Sequence, residues 1–337
     1  MGLNKRLIDQ VGASGADNFI FDTVLYTGTG SSNPITTLSF QPDFVWIASR
    51  NQYVHHPIYD IIRGATKGAK FSSQSISSTI NGLMSFDPNG FTLNDAYSFP
   101  WTNVSGEPYV AWCWKASNST DSNTNGTIAS TVSASNGFSI FKYRGNGTSG
   151  ATVGHGLSQA PELIIIGNED ANYDWSVYAQ PIGPTYRLSI NQTISKQFGS
   201  QYFANTSPTD SVFTIGTDNS VNSNGKDSFG YAFHSVDGVQ KIGSYVGSNG
   251  AGNKQTIGFQ PSFLMIKSHT HTDEWYILDD KRNPSDPRNI FAKANTLHPD
   301  TILSPTTYSV DFESDGFSFN SNYFNNSFNT YIYLAIA

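Results

Sequence analysis

Short apolar runs, each only a few residues long and bounded by Gly, Pro, Asn or Ser, are the dominant pattern along this chain. Leu163-Ile-Ile-Ile166, Phe44-Val-Trp-Ile47 and Phe263-Leu-Met-Ile266 are continuous and short, as buried strands are. Phe138-Ser-Ile-Phe-Lys-Tyr143 and Phe317-Ser-Phe319 instead alternate with period two, which places their aromatic rings on one face of a half-buried strand. Each continuous run follows a proline, Pro42, Pro161 or Pro261, at a strand start, where the missing amide donor does no harm. Stretches with helical period are scarce.

These elements recur as one ordered set, three times. The set opens on an aromatic-x-Gly turn: Tyr26-Thr-Gly28, Tyr143-Arg-Gly145 and Tyr245-Val-Gly247. The proline and its apolar run follow. Then come Pro57-Ile-Tyr-Asp60, Trp175-Ser-Val-Tyr178 and Trp275-Tyr-Ile-Leu-Asp279, and next the Phe-centred strands around Phe91, Phe213 and Phe317. Tyr109-Val-Ala111, Tyr231-Ala232 and Tyr333-Leu-Ala335 close the sets. The pattern predicts an all-β chain of three tandem antiparallel β-sandwich domains, spanning residues 17–117, 135–236 and 237–337. A polar linker is expected at 118–134, where Asn118-Ser-Thr-Asp-Ser-Asn-Thr-Asn-Gly126 shows no periodicity. Residues 1–16 form an N-terminal arm. Leu3, Leu7, Ile8 and Val11 fit one face of a short helix there, suited to docking, and the alternative is an unstructured terminus.

Composition agrees: 14% of residues are aromatic and only 13% charged. The net charge of −7, with no basic run, disfavours nucleic acid and anionic membrane surfaces as partners. No apolar window is long enough for a membrane span, and the first residues lack the apolar core of a secretory signal. The single cysteine, Cys113, sits in an apolar strand and reads as a core thiol.

Candidate chemistry is thin. His269 and His271 would share one face of a strand, near Asp273 and Glu274, and are the candidates for a metal site. Glycan cleavage needs two carboxylates across a cleft, and Asp60, Asp279, Asp280 and Asp300 are available, but no spacing singles out a pair. No motif points to a cofactor, so none is expected, and the chain reads as a non-enzyme. Aromatic residues outside the repeated skeleton are free to serve recognition: Tyr53, Tyr97, Trp101, Tyr173, Tyr202, Tyr323 and Phe324 are the candidate ligand-binding residues. Local packing is the competing role for each.

Tyr109-Val-Ala-Trp-Cys-Trp-Lys115, Gly137-Phe-Ser-Ile140, Tyr143-Arg-Gly-Asn-Gly-Thr148, Gly150-Ala-Thr-Val-Gly-His-Gly-Leu157 and Ser244-Tyr-Val-Gly-Ser-Asn-Gly250 resemble a repeat domain of undetermined function. That domain is found in virion and tail proteins of tailed phages, marine and cyanobacterial ones especially. The likeness covers residues 17 to 337 and is weakest in the third copy, which lacks the Gly-His-Gly-Leu and Trp-Cys-Trp strings. It implies a concanavalin-like or jelly-roll-like sandwich, a place in the virion and no catalytic residues. The expectation is therefore a tail fibre or spike subunit for host attachment, with a capsid decoration protein as the alternative and a glycan-degrading enzyme as a third reading. Its expected partners are other virion proteins through the N-terminal arm and a glycan or protein of the host surface. As phage fibres generally are, it is expected to be a homo-oligomer, a trimer first.

Overall fold

The computed structural model describes residues 20–75, 78–79, 82–94, 101–304 and 309–337. The predicted N-terminal arm and Tyr97 lie outside the described residues. The chain is all-β; its α-helices, Ser200–Phe203 and Asn219–Asn222, are single turns.

The continuous apolar runs become central strands of three six-stranded antiparallel sheets. In the first sheet the strands lie in the order Ile20–Thr27, Pro108–Lys115, Phe44–Ser49, Pro57–Asp60, Lys67–Lys70, Ser78–Thr79. The third sheet repeats this order with Gln240–Val246, Thr330–Ile336, Phe263–Ser268, Trp275–Asp279, Ile290–Lys293 and Thr301–Ile302. In the second, Phe138–Arg144, Asp227–Phe233, Leu163–Asn168 and Ser176–Ala179 keep the same sequence of neighbours. There the edge is extended by Ser130–Ser135 and Asp121–Asn123. The polar linker expected at 118–134 is thus corrected: about half of it is strand, at 121–123 and from 130 onward. Its Ser, Thr and Asn residues have a loop-like composition because an edge strand with an exposed face needs no apolar alternation.

Alternate residues explain why these strands are apolar on both sides. Val45 and Ile47 point to an outer layer, while Phe44, Trp46 and Ala48 point the other way. Outward-facing residues of each sheet pack beneath a small sheet of their own. These small sheets are Asn33–Ile35 with Gly90–Leu93 and Leu83–Asp87, Ala151–Gly154 with Val212–Ile215, and Asn253–Thr256 with Gly316–Phe319 and Val310–Glu313. Each layer pair encloses its own core. Cys113 is buried in the first of them, where desolvation pushes its thiol well above its usual pKa.

Inward-facing residues of all three sheets meet in a single central core, including Phe44, Trp112 and Trp114, Phe138, Ile165 and Tyr231, and Phe263, Met265 and Leu334. The three units are therefore not self-contained beads. Contacts between them run in a cycle. Trp175 of the second sheet donates its indole N–H to the Lys70 carbonyl beside the first (3.1 Å), and Tyr231 donates its hydroxyl to Asp60 (2.9 Å). Trp112 of the first sheet donates to Asp279 of the third (3.0 Å). Trp275 of the third donates to the Ser189 carbonyl of the second (2.9 Å), closing the ring.

The aromatic-x-Gly landmarks mark a latch at each opening strand. Hydroxyls of Tyr26, Tyr143 and Tyr245 donate to the carbonyls of Thr102, Val221 and Phe324 at 2.5–2.6 Å. The residues that follow, Asn103, Asn222 and Asn325, are buried and use their amides to tie down the Gly-rich turn. At Gly247 an added Cβ would lie 2.0 Å from the Asn326 carbonyl oxygen, so only glycine lets the two segments approach.

Candidate functional site

The residue two before each of the repeated prolines decides whether the end of a sheet is sealed. Phe40 and Phe259 hold that place in the first and third units, and both are buried in their outer cores. Gln260, next to Phe259, reaches across to the Phe312 carbonyl (2.7 Å). The second unit carries Gln159-Ala160 instead, both exposed. With the ring gone, a cleft of about 520 Å3 opens between the Pro161 turn, the end of the closing strand at His234 and the Ser207-Pro208 loop.

Glu162 stands at its edge. In all three units the residue after the proline clamps the chain leaving the closing strand. Asp43 accepts from the Ala116 and Asn118 amides, and Ser262 donates to the Ala337 carbonyl. Burial raises the Asp43 pKa, opposed by those amides. Glu162 does the same work, accepting from the Ser235 amide at 2.6 Å, but remains half exposed at the cleft. Its orientation is thereby fixed.

Tyr178, 2% exposed, forms the floor, its ring edge-on to Phe203 at 5.6 Å. Burial raises its pKa; the Ser207 hydroxyl opposes this and the Glu162 charge adds to it, so the phenol is protonated at neutral pH. His234 lies in the wall, with Nδ1 donating to the Ser235 carbonyl (2.8 Å). That assignment leaves Nε2 as a buried acceptor with no partner among the described residues. Nearby His155 is held neutral: Nδ1 accepts from the Leu157 amide, Nε2 faces the Thr209 carbonyl, and burial brings its pKa down to about 4. Gln180 and Asp237 complete an exposed rim, and among the described residues no lysine or arginine lines the cleft.

The residues nominated from sequence lie elsewhere and are not gathered into one place. Tyr53 is 67% exposed and meets His298 at 4.9 Å, where the first and third units touch. Trp101 packs on the first outer core, with the His55 ring at 4.6 Å and the Lys70 ammonium at 5.0 Å. Tyr173 is half-buried, and its carbonyl accepts from Ser75 across the boundary between units one and two. Tyr202 is a core residue beneath the Arg187 guanidinium, Phe324 is fully buried, and Tyr323 packs against Tyr276, Phe291 and Phe324. Buried rings such as Tyr202 and Phe324 offer no face to a ligand; their polar flanks come from adjacent turns.

His269 and His271 do not converge with a third ligand among the described residues. Burial, together with the ammonium groups of Lys196 and Lys267, lowers the His269 pKa to about 4, a setting that repels a cation. Asp273 and Glu274 are engaged by Tyr276 and Asn295. Among the weighed carboxylates, Asp60 pairs with Arg63, Asp279 with Arg282, and Asp300 with Arg50 and Arg282.

None of the cleft residues is a site candidate in the sequence; Pro161 and Tyr178 stand out there only as repeat positions. The signal was present as a departure from the repeat: Phe40-Gln41 and Phe259-Gln260 against Gln159-Ala160.

No curated protein and no solved structure matches this chain. One family model does, over residues 17–337, so that a single domain takes in all three sheets. The chain belongs to the DUF7483 family, a domain of unknown function.

Proposed function

We propose that this protein is a virion structural protein of a tailed phage, a tail appendage subunit that attaches to the host surface. It is built as three sandwich modules fused about one core. The supporting observation is that shared core. An attachment protein must keep its shape outside the cell, and this chain, with one buried cysteine and so no internal disulfide, does so by burying both faces of its principal sheets. Three of the four carboxylates weighed for glycan cleavage, Asp60, Asp279 and Asp300, are held by guanidinium groups, which favours binding over catalysis. A cycle of inter-sheet contacts of the kind a trimer would provide already exists within one chain, so a homo-oligomer would form through outer surfaces. The N-terminal residues would anchor it to other virion proteins, and the likeness to phage virion domains is what supports that location.

Gold-labelled antibody on purified particles tests this directly. Label at the tail, with adsorption blocked by the same antibody, is the expected result. Label on the head with normal adsorption would make it a capsid decoration protein, and unlabelled particles would end the virion reading.

A further inference from the structure

We propose that the cleft of the second unit is a binding site for a neutral, polyhydroxylated ligand, the terminal residue of a glycan. Its volume, about 520 Å3, falls in the range of small-ligand sites. Its chemistry is mixed: carboxylates from Glu162 and Asp237, amides from Gln159 and Gln180, hydroxyls from Ser207 and Tyr178. Carboxylates only accept, amides both donate and accept, and a sugar hydroxyl can meet either. Two carboxylates, with no basic residue in the lining among the described residues, repel phosphate, sulfate or acidic sugars. The site is also pre-organised: Glu162 is aimed by the Ser235 amide and Tyr178 is clamped by Phe203.

The other two units act as internal controls. They fill the corresponding place with Phe40 and Phe259. The second unit also differs in its helical turns and edge strands, and Gln159 replaces the buried phenylalanine there only, so binding is assigned to the second unit.

This names a ligand class for the attachment reading and rests on it for biological meaning, yet the test needs only the purified full chain. Saturation-transfer NMR with methyl glycosides of neutral hexoses and N-acetylhexosamines should detect binding of at least one, with Kd about 1 mM, ordinary for a single sugar. Sialic acid should give no signal. Gln159→Phe, which restores the plug, should abolish binding without lowering the melting temperature. Asp237→Asn, at an exposed position, should weaken it about tenfold. No signal from any neutral glycoside, equal binding by Gln159→Phe, or sialic acid binding as strongly would overturn the proposal. If glycosides bind but particles carry no label, the attachment reading fails and the cleft stands.

Discussion

Two of the three seams between sheets are polar at their centre and the third is not. Where the first unit receives the second, Arg63 and Asp60 form a pair (2.6 Å) with no exposed side-chain surface; Tyr231 donates to Asp60, and the guanidinium lies 4.0 Å over the Phe229 ring. Where the third receives the first, Arg282 and Asp279 repeat this, with Trp112 as the donor. Where the second receives the third, the aligned residues are Ala179, Ile182 and Leu334, all in the central core. Donor, acid and base change together, so each seam is internally consistent. A buried ion pair and a hydrocarbon cluster are near-equivalent solutions to the same space, provided neither is left half made. Unlike seams also label the faces: a mispaired sheet would leave the buried carboxylate of Asp60 or Asp279 without the Tyr231 or Trp112 donor that meets it.

The largest effect should come from breaking one pair. Asp60→Ala strips the carboxylate from Arg63, whose pKa is lowered by burial but raised above its ordinary value by the stronger pull of Asp60 and Tyr231. A loss of about 3–5 kcal/mol is expected in denaturant unfolding, far more than from breaking a solvent-exposed pair such as Lys254–Glu313. A small loss from Asp60→Ala would show that the polar seam is not held by the pair.

Legibility in the sequence followed the same division. The all-β class and the order of the strands were readable because period-two alternation and turn residues are local signals. The shared core was not, although Tyr109-Val-Ala-Trp-Cys-Trp114 is apolar at every position and so demands cover on both faces. Which surface supplies the second cover is a non-local fact. Asp60 and Asp279 looked like surface carboxylates because the arginines three residues on, Arg63 and Arg282, gave no hint of burial. Aromatic residues flanked by Asn and Ser looked exposed, whereas Tyr202 and Phe324 are core. The cleft was legible only as Gln159 standing where the other copies have phenylalanine, a difference that repeat-matching sets aside.

Acid should separate the seams next. Trp175 and Trp275 donate across two of them, and His56 takes the same place at the seam between units one and three, opposite the Lys293 carbonyl, with neither ring nitrogen in good hydrogen-bond geometry. Burial brings its pKa down from 6.5 to about 4; Asp300 opposes this, while Arg282 and His55 add to it. An unfolded chain takes up the proton near pH 6.5, and the folded one refuses it until about pH 4, so stability is full above that window and falls as pH drops through it. Between pH 7 and pH 5 the group should cost on the order of 2 kcal/mol. Unfolding midpoints at both pH values should show a smaller acid loss for His56→Gln than for the parent, with buried His155 accounting for part of what remains.

The smallest effect is expected from changing one seam wholly into the other kind. In the apolar seam the turn Gln180–Ile182 holds itself, with Pro181 fixing its start and the Gly183 amide bonded to the Ala179 carbonyl (3.2 Å). In the polar one Asp60 also caps its own turn through the Arg63 amide (2.9 Å). Replacing Asp60-Ile-Ile-Arg63 by Ala-Gln-Pro-Ile together with Tyr231→Leu therefore transfers both the hydrocarbon contact and the turn that supports it. The unfolding free energy should change by less than about 1.5 kcal/mol in either direction, although Asp60→Ala alone is costly. Near-neutral stability with slower or heterogeneous refolding would assign the ion pair to choosing which sheet meets which. A loss as large as that of Asp60→Ala would mean that the two seams are not interchangeable solutions, because the space around Tyr231 is shaped for the polar one.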